Sequence, residues 1–537
     1  MLGVKSHRNK SVMKHTFSEV PKAEIQRSSF NRSHGYKTTF DAGKLIPIFV
    51  DEALPGDTFN VRMTGFSRLA TPIVPIMDNM YMDTQFFSIP MRLVFDNWQK
   101  LQGEQIDPGD STDYTIPQMV APVGGYAIGS LEDYFGLPTG VAGFTHSALW
   151  HRAYNLVWNQ WYRDQNLQDS LVVSRGDGPD LSTSYSIQHR GKRPDYFTSA
   201  LPWPQKGAAV EIPLGSTAPV IGLFSANNAT VALGSTVAVG GVWPGTQSIS
   251  AAGASFGSLS AVGTAAGTAF NSTNAAVYAD LSQATAATIN SLRQAFQIQK
   301  IFERDARGGT RYVEAIKARF GVTSPDARLQ RPEFLGGGSS PVNISPIPQT
   351  SPTGAYANTP QGNLAAMGVA LLNNHGFTHS FTEHCLLLGI VSVRADLTYQ
   401  TGLNRMWSRK TRFDFFEPAL AHLGEQNVLN KEIFIQGTAA DDQTFGYQER
   451  FAEYRYYPSQ ITGLFRSAAP QSLDVWHLSQ DFATLPVLDA QFIQENPPVD
   501  RIIAVTTEPQ FLFDSYFAMQ CARPMPLYGV PGLIDHF

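Results

Sequence analysis

From Thr58 to Phe66, Phe59, Val61, Met63 and Gly65 alternate with polar or turn residues. A period of two marks a strand with one face in a core. The same texture runs through KLIPIFVDEALPGDTFNVRMTGF (44–66) and MYMDTQFFSIPMRLVF (80–95). Ile-Pro, Leu-Pro and Thr-Pro steps interrupt it, which predicts short runs rather than long central strands. The period changes in SALWHRAYNLVWNQWYRDQNL (147–167), where Leu149 is followed by Tyr154, Val157, Trp158 and Trp161, which recur three or four apart. That spacing predicts a helix with an aromatic stripe packed into a core. Further helices are predicted over 282–306 and 311–321, the second closed by Gly321. The Gly/Pro/Ser-rich stretch 335–362 is predicted to be loop, and the last 160 residues return to strands and turns. With no βαβ rhythm, the pattern describes a β framework interrupted by insertions.

Composition supports this. Of 537 residues, 16% are charged, against roughly 25% in an average soluble domain. Gly (45), Pro (34) and aromatics (11%) take their place, as in a turn-rich β protein with large buried contacts. Two cysteines cannot make a disulfide framework, so packing must hold the fold. The first twenty residues lack the apolar centre of a secretory signal, and the longest apolar run, LLLGIVSV (386–393), is less than half a membrane span. The chain is therefore expected to stay in a cytoplasm, or in something assembled there, without membrane insertion.

The stretch HGFTHSFTEHC (375–385) could suggest a metal centre, since every His, Glu and Cys in it is a possible ligand. Secondary structure decides. In a helix His375 and His379 would lie about 6 Å apart on one face; in a strand the separation is roughly 13 Å. Gly376, Thr378, Ser380 and Thr382 are poor helix formers, Phe377 and Phe381 alternate with them, and the run continues into a β-branched stretch. A strand carrying His375, His379 and His384 is expected, with structural histidines rather than a metal site. Cys385 and His384 would then point apart, so no thiolate–imidazole pair forms. No nucleophile elbow, P-loop or dinucleotide fingerprint is present. No catalytic residue, metal ligand or cofactor site is assigned, and no enzyme activity is expected.

Charge is unevenly spread. Residues 1–40 carry a net +6 and the remaining 497 sum to −11. A basic arm on an acidic body suits nucleic acid, and a solvated tail accounts for it equally well. The candidate contacts are Lys5, Arg8, Lys10, Lys14, Arg27 and Arg32. Residues 207–290 are the opposite case, with no Lys, Arg or His and only Glu211 and Asp280 charged. This stretch of Ala, Gly, Ser, Thr and Val is too apolar for an ordinary linker and has nothing to neutralise phosphate. It reads as an inserted subdomain on an outer surface.

Several long blocks resemble the major capsid protein of the gokushoviruses, small icosahedral phages of the Microviridae with circular single-stranded DNA. They are VPKAEIQRSSFNRSHGYKTTFDAGKLIPIFVDEALPGDTFNVRMTGFSRLATP (20–72), MDNMYMDTQFFSIPMRLVFDNWQKLQGEQ (77–105), DYFTSALPWPQKG (195–207), FGVTSPDARLQRPEFLGG (320–337), RADLTYQTGLNRMWSRKTRFDFF (394–416), FGYQERFAEYRYYPSQITG (445–463) and CARPMPLYGVPGLIDHF (521–537). They span the chain in order, and 207–290 is the one long departure.

The resemblance implies a mainly β fold, an eight-stranded antiparallel jelly-roll barrel with long inserted loops, a few helices and a small-residue-rich surface insertion. Its parts would be a basic arm on the inner surface (1–40), the first part of the jelly roll (41–206), a three-fold protrusion (207–290), then a helical connection and the rest of the jelly roll (291–537). It implies a virion protein that self-assembles into a T=1 shell, with the insertion in host attachment. Expected partners are further copies of itself, the single-stranded DNA genome, an internal scaffolding protein, a DNA pilot protein, a small basic DNA-binding protein and a host-surface receptor. A receptor-binding spike or fibre is the alternative. A cytoplasmic hydrolase with an unrecognised site is the more distant one.

Overall fold

A computed structural model describes residues 26–210, 220–221, 278–279, 289–322, 330–350 and 361–528. The first strands are β1 (Ser28–Asn31), β2 (His34–Phe40), β3 (Ile46–Ala53), β4 (Thr58–Leu69) and β5 (Met80–Pro90). A long insertion follows with α1 (Trp98–Leu101), β6 (Gln118–Val120), α2 (Leu131–Tyr134), β7 (Thr145–Ser147), α3 (Leu149–Val157), β8 (Val220–Ile221), β9 (Tyr278–Ala279), α4 (Ile289–Arg307) and α5 (Tyr312–Phe320). Then come β10 (Glu333–Pro348), β11 (Leu364–Ser380) and β12 (Cys385–Ala395). A second insertion carries β13 (Glu425–Leu429), α6 (Asn430–Ile433) and β14 (Thr444–Glu449), before β15 (Phe511–Arg523).

The main sheet runs β1-β15-β4-β11-β10-β5-β12-β3, with β2 also on β15, and its pairings are antiparallel. β10 makes the turn between halves: Glu333–Pro341 pair with β5, and Val342–Pro348 pair with β11. The halves face each other, because Phe49 on β3 and Phe517 on β15 belong to far-apart strands of this order yet their rings lie 5.3 Å apart. Phe86 meets Phe377 at 5.5 Å across the same gap. Strands adjacent in sequence fall largely in opposite halves, the winding of a jelly roll. The expected fold class is borne out.

Alternation explains which faces are buried. Along β15, Phe511, Phe513, Phe517, Met519 and Cys521 point into the core while Leu512, Asp514, Tyr516 and Gln520 point out. β12 has no polar face, and every residue from Cys385 to Ala395 is buried. Its outer side is covered by α3 and the chain around it, through Leu149, Ala153, Leu156 and Val157. The run LLLGIVSV is thus a strand buried on both faces. A separate small core joins the two insertions, with Phe197 against Tyr399 at 5.2 Å and Phe445 against Phe492 at 5.3 Å.

The structure corrects four local expectations. β4 and β5 are long and central; their prolines escape the ladder because Pro55 sits in a turn and Pro90 ends its strand, while Pro47 lies on β3 at the sheet edge. The helix expected over 147–167 is α-helical over Leu149–Val157 and ends in a π turn at Tyr162. Residues 335–348, expected as loop, belong to β10. Gly336 and Gly337 allow close backbone approach there, since a Cβ would lie 2.5 Å from the Gly376 carbonyl oxygen and 2.0 Å from that of Thr84. Finally, His384 lies in the turn between β11 and β12, not in a strand. Gly321 closes α5 with φ 71°, as expected.

Two compact units are distinguished, Gln205–Gly309 and the remainder of the chain. Within the first, the Lys206 amide donates to the Phe302 carbonyl on α4 at 3.3 Å. Most of the expected insertion 207–290, and the start of the helix expected over 282–306, lie outside the described residues.

Candidate functional site

The histidine run has a structural explanation. A bulge between Leu372 and His375, with Asn374 at φ 58°, lets β11 present His375 to the core. The ring bridges two strands: Nδ1 lies 2.7 Å from Thr84 Oγ1 on β5 and Nε2 lies 3.1 Å from Ser340 Oγ on β10. Gly338 makes the room, because a Cβ there would sit 2.4 Å from the ring. Burial lowers the pKa of His375. This is a neutral core histidine hydrogen-bonded on both sides. His379 packs on Phe381 at 4.8 Å, and His384 on Trp98 at 5.2 Å. Burial pushes the Cys385 thiol up to about 11, which keeps it from acting as a nucleophile near neutral pH. Among the described residues, no group of three or more His, Cys, Asp or Glu is placed to hold a metal ion.

Buried charges brace the insertions against the jelly roll. Asp83 on β5 accepts from Arg394 on β12 at 2.8 Å and from Arg190 of the first insertion. Burial would raise its pKa, but bonds from Ser339, Arg190 and Arg394 outweigh that and hold it below the usual carboxylate range. Nearby, burial pushes Glu495 up to about 7 and Lys192 down to about 8. In the small core, Glu432 accepts from Arg405 at 2.9 Å and from the Tyr196 hydroxyl at 3.0 Å. Tyr196, Glu432 and Arg405 satisfy one another, which is what buried ionic side chains require, whereas Asp83 Oδ1, Arg394 Nη1 and Glu495 Oε2 are buried without a hydrogen-bond partner among the described residues. Together these groups hold the loops in place.

Of the six candidate nucleic-acid contacts, Lys5, Arg8, Lys10 and Lys14 lie outside the described residues. Arg27 donates to the Gly56 carbonyl at 2.6 Å and to Thr58 Oγ1 at 3.0 Å. Arg32 makes a two-pronged bond to Asp51, at 2.6 and 2.9 Å. Both are engaged within the fold, and residues 28–40 form β1 and β2 along β15. Net charge alone could not reveal those partners.

One surface could not be anticipated from composition. The segment RMWSRKTRFDFF (405–416) holds four basic and four aromatic residues in twelve. Trp407, Phe413, Phe415 and Phe416 are all exposed. Residues 450–457 continue this surface. Phe416 meets Phe451 at 5.2 Å, the Arg409 guanidinium lies 4.2 Å over the Tyr454 ring, and Arg450 donates to the Phe413 carbonyl at 3.1 Å. The signal lies in the interleaving of Arg with aromatics.

Known proteins resemble the chain over nearly its full length. A family model described as Capsid protein (F protein) matches residues 18–533. The chain is 48% identical over 528 residues to capsid protein VP1 of Bdellovibrio phage phiMH2K, covering 97% of this chain and 98% of that protein. It is 45% identical over 587 residues to capsid protein VP1 of Chlamydia phage 1, covering 97% and 98%. With capsid protein VP1 of Spiroplasma virus 4 the identity is 38% over 548 residues, covering 97% of each.

Proposed function

The chain belongs to the phage capsid protein (F protein) family and is a structural subunit of a virion, and from that premise we propose that its copies assemble in the bacterial cytoplasm into a T=1 icosahedral shell around a circular single-stranded DNA genome. The observation that carries this is the match over 18–533 on a chain whose strands wind as a jelly roll with two long insertions. The internal scaffolding protein, DNA pilot protein and small basic DNA-binding protein are its partners in assembly, and a host-surface receptor is its partner in attachment.

The N-terminal arm contacts the genome through Lys5, Arg8, Lys10 and Lys14, while Arg27 and Arg32, held by Gly56, Thr58 and Asp51, anchor its base to the fold. What supports this is the +6 charge of residues 1–40 on an otherwise acidic chain. A coat must accept every sequence in its genome, so these contacts go to phosphate with little base preference. Changing Lys5, Arg8, Lys10 and Lys14 to Ser should weaken single-stranded DNA binding. Its dependence on log salt should flatten by about 0.7 for each phosphate that is no longer neutralised. Unchanged affinity and slope, with normal genome content in particles, would make the arm a solvated tail.

The insertion 207–290 forms an outward protrusion used in attachment. Its near absence of charge supports an outer rather than a DNA-facing position. Replacing 207–290 with a short Gly/Ser linker should leave shells intact and abolish infection. A deletion that stops assembly would instead place the segment in an essential subunit contact.

A further inference from the structure

We infer that one copy of this chain docks on the next through two unlike faces: the arginine- and aromatic-rich surface of 405–416 and 450–457, and the acidic, aliphatic surface of 101–151 on its neighbour. The inference rests on the shell reading and deepens it by naming a contact.

The first face has the make-up of an interface centre. Met406, Trp407, Phe413 and Phe415, within ten residues of one another, are each exposed, with Trp407 at 72%. Apolar surface gathered in this way marks a binding site more often than bare solvent. Trp, Tyr, Phe, Met and Arg are the types that dominate protein–protein contacts. Stacked bases could also use such a surface. Its arginines, however, are largely answered by carboxylates: Arg409 faces Glu453 at 3.8 Å, Arg412 faces Glu417 at 3.5 Å and Arg455 faces Glu449 at 2.6 Å. What remains is a modest basic excess: Lys410 is exposed, and Arg412, whose side chain is 81% exposed, is held only loosely by Glu417 at 3.5 Å. That suits a mildly acidic protein face better than a phosphate backbone.

The second face is its complement. From Leu101 to His151 there is no Lys or Arg, while Glu104, Asp107, Asp110, Asp113, Glu132 and Asp133 are acidic. Glu132 is buried beside His151, and Asp110 accepts from the amides of Ile106 and Asp107. Glu104, Asp107 and Asp113 are left exposed. Among them and beyond stand Ile106, Val123, Ile128 and Val141, all exposed, with Ile128 at 88%. Among the described residues, no hydrogen bond or ion pair joins the two faces within one chain, so each keeps its charge for another copy. Two unlike faces meeting head to tail generate rings when the rotation closes, which a closed shell built from one kind of subunit requires.

The test uses the full chain co-expressed with its internal scaffolding protein, with shells counted by sedimentation and microscopy. One variant carries Lys410→Glu and Arg412→Glu, another Glu104→Lys, Asp107→Lys and Asp113→Lys, and a third carries all five changes. Circular dichroism should match the unchanged chain throughout, because every altered side chain is exposed. Each single-face variant should lose shells by roughly tenfold or more, since like charges would then meet at every interface. The five-fold variant should recover them, because opposite charges face each other again. Normal assembly of both single-face variants, or a five-fold variant no better than either, would overturn the inference. So would normal shells depleted of DNA in the Lys410/Arg412 variant, which would make the face a nucleic-acid surface. A failure of the unchanged chain to form shells is a different result, and it removes the shell reading itself.

Discussion

Replacing Phe517 with alanine should destabilise the unassembled subunit by about 3–5 kcal/mol. The ring is fully buried on β15 and holds the two halves of the jelly roll together. It lies 5.3 Å from Phe49 on β3, 6.4 Å edge-on from Phe86 on β5, and 5.2 Å from His34 on β2. Truncation removes apolar area and leaves a cavity that three strands in register cannot close. The neighbouring residue is the control. Tyr516 points to the other side and is 54% exposed, so Tyr516→Ala should shift stability by no more than about 0.5 kcal/mol. Urea unfolding followed by tryptophan fluorescence measures both. Equal effects would mean that β15 presents a different face to the core.

Arg152→Ala should cost about as much, roughly 3–5 kcal/mol, for an electrostatic reason. Its side chain is fully buried on α3. Nε and Nη2 donate to both oxygens of Asp180 at 2.7 and 2.6 Å, and Nη1 donates to the carbonyls of Val94 and Gly176, each at 2.9 Å. Removing the guanidinium strands a buried carboxylate and two carbonyls. Lysine should rescue little, because a single ammonium cannot match a fork with bonds in three directions. The pH response separates this from simple loss of packing. Burial pushes the Asp180 pKa up, but the bonds from Arg152 and Tyr185 win and leave it lowered. A lowered carboxylate pKa contributes stability above the unfolded value and loses it as pH falls through the folded one. The unchanged protein should therefore lose this contribution only on the acid side. In the variant, the extra cost should shrink as acid protonates Asp180. A cost independent of pH would mean that the pair contributes packing alone.

Much of the architecture was legible because β alternation and helical spacing are local. The strand character of 375–380 could be read from Gly, Thr and Ser between phenylalanines, and that alone separated His375 from His379 as ligands. β10 could not be read. Its glycines and its prolines at 341, 346 and 348 look like loop until Gly376, Thr84 and His375 are in place around them. From Val342 onward that strand pairs with β11 alone, which leaves an open side to accommodate proline's missing N–H. Partners distant in sequence were hidden for the same reason: nothing near Arg32 announces Asp51, and nothing near Arg152 announces Asp180. The aromatics of 405–416 gave no burial signal in the sequence, since four basic residues in twelve break any period, and only the structure shows Trp407, Phe413, Phe415 and Phe416 exposed.

A subunit of this family is expected to close a shell. Its most direct test is to express the full chain with its internal scaffolding protein and examine the products by mass photometry and electron microscopy. Closed particles of one size with T=1 symmetry are expected. Monomers and dimers alone, with the scaffolding protein present, would contradict it.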